Sequence, residues 1–492
     1  MLILTQGTDL WKRLQMGSRA QLLKNTIALS APNVINPFVS FALIFVISRS
    51  LGAQGLGEYS LILAWQAIFA TVASMGLSAL VIRETSRKPE TIHIFFSNAM
   101  IFGLVSSTLA VIAMLATVEF MDYPHRIIVG ATISSLSLIP STAIRYVEAA
   151  FRSVEKSEYI ALCYMTENVV RVLASVALLL MGFDLLWVFG AITLINFVTV
   201  LLMMYFYVRI IGRPRWNFDW EIWKLMTKQS PTFLSIAILS TLHLSMPEIM
   251  LSKLLNIEAV GIFSAAARVV GFAMVIPIGF CMALLPALTK KYQDGLVELH
   301  AMTSDSVRYA FIFIFPIIIG TTILSDQIIH IIYGDKFSDA VPALRLMVFG
   351  VAPYFVLVSL AQVLVSTDNQ AFDLKVNLVA VIISFVLHMA LVPLLGVMGS
   401  ILATIICFII LNQMQYGFMK KKLFVLDFWS LSFKPLLATA LMAPVTLLLC
   451  DYNILINVLF SAIIYAIAII VLKALTSEEI IHILNILRKK TS

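Results

Sequence analysis

The sequence predicts an all-α integral membrane protein of about fourteen transmembrane helices, and three observations lead there. The chain is 60% hydrophobic and only 12% charged over 492 residues, about half the charged fraction of a soluble globular domain. Its apolar residues fall into runs of roughly 20, the length that crosses a bilayer as a helix. The runs are separated by short polar breaks that leave no room for a water-soluble domain. A net charge of +7 could suggest nucleic acid, but in a polytopic chain basic residues mark cytoplasmic loops facing anionic lipid, so bilayer lipids and not nucleic acid are the expected contact.

Residues 1–24 form a cytoplasmic N-terminal segment with Trp11, Lys12, Arg13, Arg19 and Lys24 ahead of the first apolar run. No small-residue cleavage site follows a short core, so the first span is expected to be retained. Spans are predicted near 25–48, 58–82, 93–117, 127–151, 159–181 and 185–208, completing an N-lobe over 25–212. Next comes a basic linker, 213–230, in which Trp216, Trp220 and Trp223 recur at helical spacing beside Arg215 and Lys224; it is expected to lie along the inner surface. A C-lobe over 231–422 holds spans near 231–254, 260–286, 309–325, 343–366, 375–393 and 397–419. Residues 423–475 add spans 431–450 and 454–473. The tail, 476–492, opens with a capping-box pattern at Thr476 and Glu479, continues with an apolar stripe and ends Arg488-Lys489-Lys490, as a cytoplasmic amphipathic helix would.

Charge tests this topology. An even span number places both termini on one side, and that side carries 26 of the 34 Lys and Arg residues. The other side has only Arg49, Arg126, Lys253, Lys336 and Arg345, and three arginines lie within spans. The positive-inside rule then makes both termini cytoplasmic. The four cysteines, Cys163, Cys281, Cys407 and Cys450, lack any metal-ligand spacing and read as packing residues.

A shift of 204 residues superposes Arg49 on Lys253, Leu51 on Leu255, Gly57 on Gly261, Tyr59 on Phe263 and Ser60 on Ser264, with Arg87 on Lys291. Six spans separate the copies, so orientation is preserved. The pattern is a parallel pseudo-repeat of two six-helix lobes, followed by two extra C-terminal helices. Spans one and seven each carry two prolines, Pro32 and Pro37 against Pro231 and Pro247, which predicts corresponding broken helices along a transport pathway.

Ionisable residues inside spans need a cavity or a partner. Arg145 and Glu148 are three apart, and Glu167 and Arg171 four apart, so each pair can meet on one helix face. Glu248 and Arg268 lie on consecutive spans and can also pair. Under the alternative reading, these arginines bind an anion, and Glu248 and Glu167, with His243 nearby, carry ions. Arg49 and Lys253 add positive charge at the outer mouth. No phosphate loop, HExxH or G-x-S-x-G motif occurs, so nucleotide-driven pumping and common hydrolase chemistry lack their parts and no cofactor is expected.

Four segments carry a family resemblance. They are Arg49-Ser-Leu-Gly-Ala-Gln-Gly-Leu-Gly-Glu-Tyr-Ser60, Gly261-Ile-Phe-Ser-Ala-Ala-Ala-Arg268, Tyr333-Gly-Asp-Lys-Phe-Ser-Asp-Ala340 and Pro393-Leu-Leu-Gly-Val-Met-Gly-Ser-Ile-Leu-Ala-Thr404. In order and spacing they resemble the oligosaccharide flippases of the MOP superfamily, the Wzx-like polysaccharide transporters related to MATE exporters and lipid II flippases. His388 stands where similar sequences often have Asn, and Glu248 where many have Asp. The resemblance implies a non-enzymatic, alternating-access flippase in a bacterial inner membrane. It would move undecaprenyl-diphosphate-linked oligosaccharide repeat units from the inner to the outer leaflet, with a polysaccharide polymerase and glycosyltransferases as partners. Arg268 and Arg171, with Arg145 on the entrance side, would meet the diphosphate, because guanidinium pairs with it bidentately. The competing readings are a MATE-like small-molecule exporter, a lipid II flippase and, from another class, a membrane glycosyltransferase or polymerase. Such enzymes usually have a large outer loop, whereas the longest one here is a short stretch, about 325–342.

Overall fold

The computed structural model describes the backbone of residues 4–475 and 479, and side chains from residue 39 onward except at 232, 236, 276, 278 and 281–283. The side chains of the N-terminal segment, Pro32, Pro37, Cys281 and all of the tail except Glu479 therefore lie outside the described residues. Every regular element among the described residues is helical.

Among the described residues eleven stretches are long and apolar enough to cross a membrane, and three breaks bring this number to the fourteen spans expected. Helix Leu4–Ser74 bends at Gly52, where φ is 67° and ψ is −165°, so it contains spans one and two. Helix Gln370–Lys422 bends likewise at Gly396, with φ 61° and ψ −136°, and contains spans eleven and twelve. Both bends need the left-handed backbone region that a Cβ disfavours. The eighth span is divided at Met274 into Ile257–Ala273 and Val275–Asp294.

Two sequence expectations change here. The Trp-rich interruption is not a separate surface helix: Trp216 precedes the helical residues, while Trp220 and Trp223 open the continuous helix Trp220–Leu254 of span seven. Trp223 turns inward and meets the Phe102 ring edge-on at 5.2 Å, whereas Trp216 and Trp220 are exposed. That helix also passes Pro231 and Pro247 without a break. Proline removes one ladder bond, but in a membrane helix neighbouring groups accommodate the loss. The breaks fall at Gly52, Met274 and Gly396 instead.

The chain divides into two compact units. One comprises residues 1–51 and 58–245, and the other residues 52–57 and 246–492. The first has a core around Phe96, Tyr146, Phe151 and Tyr207. There Phe96 stacks on Tyr207 with centroids 4.1 Å apart, and the Tyr146 hydroxyl donates to the Ser74 carbonyl at 3.2 Å. At one end of the same unit Arg126 joins three helix ends. It donates to Glu58 at 2.7 Å and pairs with Asp184, whose carboxylate also caps Leu185.

The second unit includes six residues of the first half, and the reason is steric. A Cβ on Gly57 would stand 1.9 Å from the Ile257 carbonyl oxygen, and a Cβ on Gly261 would stand 1.9 Å from that of Ala53. The 204-residue shift maps Ala53 onto Ile257 and Gly57 onto Gly261. Each copy's glycine thus accepts the other copy's carbonyl in a reciprocal crossing of two helix beginnings. The repeat read in the sequence is a pseudo-twofold contact in space.

Spans eleven and twelve form an antiparallel hairpin within this unit. Asp373 faces Gln415, Ala380 faces Cys407 and Leu391 faces Gly399. The inward stripe is Val376, Ala380, Ser384, His388 and Val392 against Gly399, Ala403, Cys407 and Leu411. Such small-residue seams let backbones approach where burial in lipid supplies no hydrophobic drive. Cys163 and Cys407 are buried and form no disulfide among the described residues, as packing residues do. Glu479 pairs with Arg308 and accepts from the Tyr309 hydroxyl at 2.5 Å, while Thr476, its expected capping partner, lies outside the described residues.

Because nothing flexible lines either glycine contact, Gly57→Ala and Gly261→Ala should each cost at least ~1–3 kcal/mol, the usual range for overpacking. Gly190→Ala, which has no neighbour within 4 Å of an added Cβ, should be tolerated. Thermal unfolding of the detergent-purified variants checks this: equal midpoints for all three would contradict the crossing.

Candidate substrate and ion sites within the spans

In the first unit, the polar residues gather on helices Leu138–Ser153 and Ser157–Leu180, which a short turn joins. Glu148 lies between Arg145 and Arg152, and it pairs with Arg152. The geometry favours this choice, since an acid four residues ahead of a base matches both the helix dipole and side-chain direction. Its second oxygen accepts from the Tyr164 hydroxyl at 2.9 Å. The carboxylate is thereby fully engaged. Arg145, contrary to the spacing-based pairing, has no hydrogen bond or ion pair among the described residues and is exposed, within electrostatic reach of Tyr146 and Tyr164.

Glu167 and Arg171 have the favourable order and spacing, yet no ion pair joins them among the described residues. Arg171 Nη2 instead donates to Asn168 Oδ1 at 2.5 Å, and Ser40 Oγ reaches the same oxygen at 3.4 Å. The Arg171 Nε is buried without a partner among the described residues. Glu167 stays within electrostatic reach of Arg171, Tyr164 and Cys163. Asn168, only 3% exposed, is the residue that sequence reasoning missed. Its signal was an amide inside an apolar span one position from an acid. Arg171 lies nine residues from Leu180, or ~14 Å along the helix axis.

In the second unit, Glu248 and Arg268 lie within electrostatic reach of each other but form no ion pair among the described residues. One Glu248 oxygen, Oε2, is buried without a partner there. Arg268 is eleven residues into its helix, ~16 Å by rise, and within reach of Tyr333, whose hydroxyl donates to the Ala265 carbonyl at 3.0 Å. Lys253 is exposed next to the end of helix Trp220–Leu254. In the first unit, Arg49 is exposed with its guanidinium 5.4 Å from the Phe45 ring centroid, and His243 is half-buried.

Three guanidinium groups within the predicted spans thus have their charge unpaired with any carboxylate among the described residues: Arg145 and Arg171 in one unit, Arg268 in the other. A guanidinium offers five donors in a fixed plane, suited to a phosphate or carboxylate. No cluster of three metal-ligating residues occurs among the described residues.

The fold and the site thus define a helical membrane protein with an internal repeat and charged side chains within its spans. The comparisons place it further: the polysaccharide biosynthesis protein family matches residues 22–291, more than half the chain, and the protein belongs to that family. It is 20% identical over 409 residues to a probable low-salt glycan biosynthesis flippase of Haloferax volcanii, covering 79% of this chain and 81% of the relative. It is 21% identical over 184 residues to the capsular polysaccharide biosynthesis protein CapF of Staphylococcus aureus, covering 37% and 46%. Its fold matches the lipid II flippase MurJ in an inward closed conformation, with a TM-score of 0.75, 14% identity and coverage of 91% and 98%. An inward-facing multidrug resistance MATE transporter of the MOP superfamily gives 0.64, 14%, 83% and 99%. The fold is shared with both of these solved structures.

Because Asn168 holds Arg171, the two should behave as one unit. Asn168→Ala and Arg171→Ala should each impair function at normal abundance, and the double variant should be no worse than Arg171→Ala alone. Complementation of a deletion strain with all three variants measures this; additive losses would separate the residues.

Proposed function

We propose that this protein carries lipid-linked glycan from the inner to the outer leaflet of a bacterial inner membrane by alternating access, with both termini in the cytoplasm. The observation that carries the reading is the set of arginines within the predicted spans that pair with no carboxylate among the described residues, on a chain of the polysaccharide biosynthesis family whose relative is a probable glycan flippase. A polyprenyl diphosphate headgroup has the charge and the planar oxygen pairs that such arginines recognise. Arg268 and Arg171 are its proposed contacts. Arg145 serves the cytoplasmic entrance, and Arg49 with Lys253 serves the outer mouth. The undecaprenyl-diphosphate-linked repeat unit is the proposed cargo, and a glycosyltransferase and a polymerase its supplier and consumer. Depletion of the protein in cells should trap the lipid-linked oligosaccharide in the inner leaflet. Accumulation in the outer leaflet instead would contradict transport.

Arginine and lysine discriminate the headgroup contact from simple charge balance. Loss of one bidentate pairing weakens binding by about tenfold or more, so Arg268→Lys at normal abundance should lower flipping by that order. Full activity would remove Arg268 from the site.

The driving force in this reading is an ion gradient, since no nucleotide-binding motif is present and carboxylates within spans are natural ion carriers. Glu248 is the first candidate, with Glu167 and His243 as further ones. Its unpartnered oxygen is an acceptor that a proton or cation would satisfy. In proteoliposomes, Glu248→Gln should leave flipping insensitive to an imposed ion gradient, and gradient-driven transport that persists unchanged would exclude the role.

A further inference from the structure

A further, half-buried carboxyl group lies apart from all of these, at the open end of the hairpin formed by spans eleven and twelve. Asp373 is one turn into helix Gln370–Lys422, at the end that also carries Lys420, Lys421 and Lys422. Its Oδ1 accepts from Gln415 Nε2 at 3.3 Å. Its Oδ2 accepts from Asn377 Nδ2 at 3.3 Å, and the same amide reaches the Asp373 carbonyl at 2.9 Å. Gln415 is only 1% exposed, and its Oε1 has no partner among the described residues.

No cation balances this carboxylate: among the described residues no charged group lies within its electrostatic reach. The facing helix, Val351–Ser366, has Tyr354 as its sole titratable side chain, near the opposite end. On the hairpin itself Lys375 is exposed, and the Tyr416 hydroxyl is committed to the Leu426 carbonyl at 3.0 Å. Asp368, in the preceding turn, is exposed. Two other helices pack on the hairpin, Ile257–Ala273 and Ala340–Met347. Glu258 belongs to the hairpin's tip, where Leu255 meets Gly396. Arg345 donates to Ser325, and Arg268 lies within electrostatic reach of Glu248 and Tyr333 without an ion pair among the described residues.

The amides suit both protonation states of the acid. Two N–H donors serve the carboxylate. A neutral carboxyl group also needs an acceptor for its O–H, and a half-turn of the Gln415 amide presents the oxygen that is otherwise unsatisfied. A buried acceptor left unpaired beside a titratable group is costly unless it is used in another state. We propose that Asp373, held by Asn377 and Gln415, is a proton-exchange site of the hairpin, distinct from Glu248. The carboxylate takes a proton from hydronium at the basic end of the hairpin, releasing water, and the Gln415 amide turns to accept the new O–H. The proposal goes beyond the transport reading and does not depend on it.

Infrared difference spectroscopy between acidic and alkaline buffer, on the purified full-length protein in lipid vesicles, tests it without any transported substrate. The wild-type spectrum should contain a protonated-carboxyl C=O band that is lost in Asp373→Asn. In Gln415→Leu the band should move to higher wavenumber, because its hydrogen-bond partner is gone. Carboxyl bands unchanged in Asp373→Asn would overturn the proposal. If that variant does not fold, the Gln415→Leu spectrum decides: an unshifted carboxyl region would overturn it as well.

Discussion

Two carbonyl oxygens occupying the places of two missing Cβ atoms hold the second unit together at its most crowded point. Ala53 and Ile257 offer the oxygens, and Gly261 and Gly57 leave the space. In a bilayer, helices gain little by hiding apolar surface from lipid, so contact distance and polar complementarity determine packing. A crossing this close brings Cα–H groups against carbonyls, a weak but recurring interaction. It also explains why residues 52–57 group with residues 246–492. The left-handed bend at Gly52 frees the start of the second span to reach that partner, and Asn256 starts the matching helix by capping the Ala259 amide at 2.8 Å.

The electrostatics follow a second constraint. A charge within a span must be paired, hydrogen-bonded or opened to a polar cavity. Glu148, Glu58 and Asp184 satisfy it through ion pairs with Arg152 and Arg126. Arg145, Arg171 and Arg268 do not pair with carboxylates among the described residues. Arg171 makes the contrast clear. A carboxylate is available four residues away, yet its guanidinium rests on a neutral amide, which orients the group without cancelling its charge. Such an arrangement keeps positive charge available to an anion. On the hairpin, Asp373 shows the opposite sign of the same device, an acid held by two neutral amides and by no cation among the described residues.

Much of the fold was legible because membrane helices follow strong one-dimensional rules. Apolar run length located the spans, and the three breaks at Gly52, Met274 and Gly396 account for the difference between stretches and spans. The offset of 204 residues identified Gly57 and Gly261 as equivalent before any contact was visible. Proline misled, because Pro231 and Pro247 have the composition of a break without its geometry. The tryptophans at 216, 220 and 223 suggested a surface helix by spacing, but spacing cannot say whether an amphipathic turn ends or continues into the next span.

Sequence by itself determined the helical membrane class, the order of spans, the repeat and the residues eligible for a site, since each depends on local composition or on a fixed offset along the chain. Only the tertiary structure decided which charges were neutralised. Arg145 and Arg152 are both within a turn of Glu148, and side-chain direction together with Tyr164 from the next helix selected Arg152. Asn168 and Gln415 gained their roles only when folding placed an arginine and an aspartate against them. Hydrogen bonding is a matter of ångströms between atoms distant in the chain, and no spacing rule along one helix fixes the distance to the next.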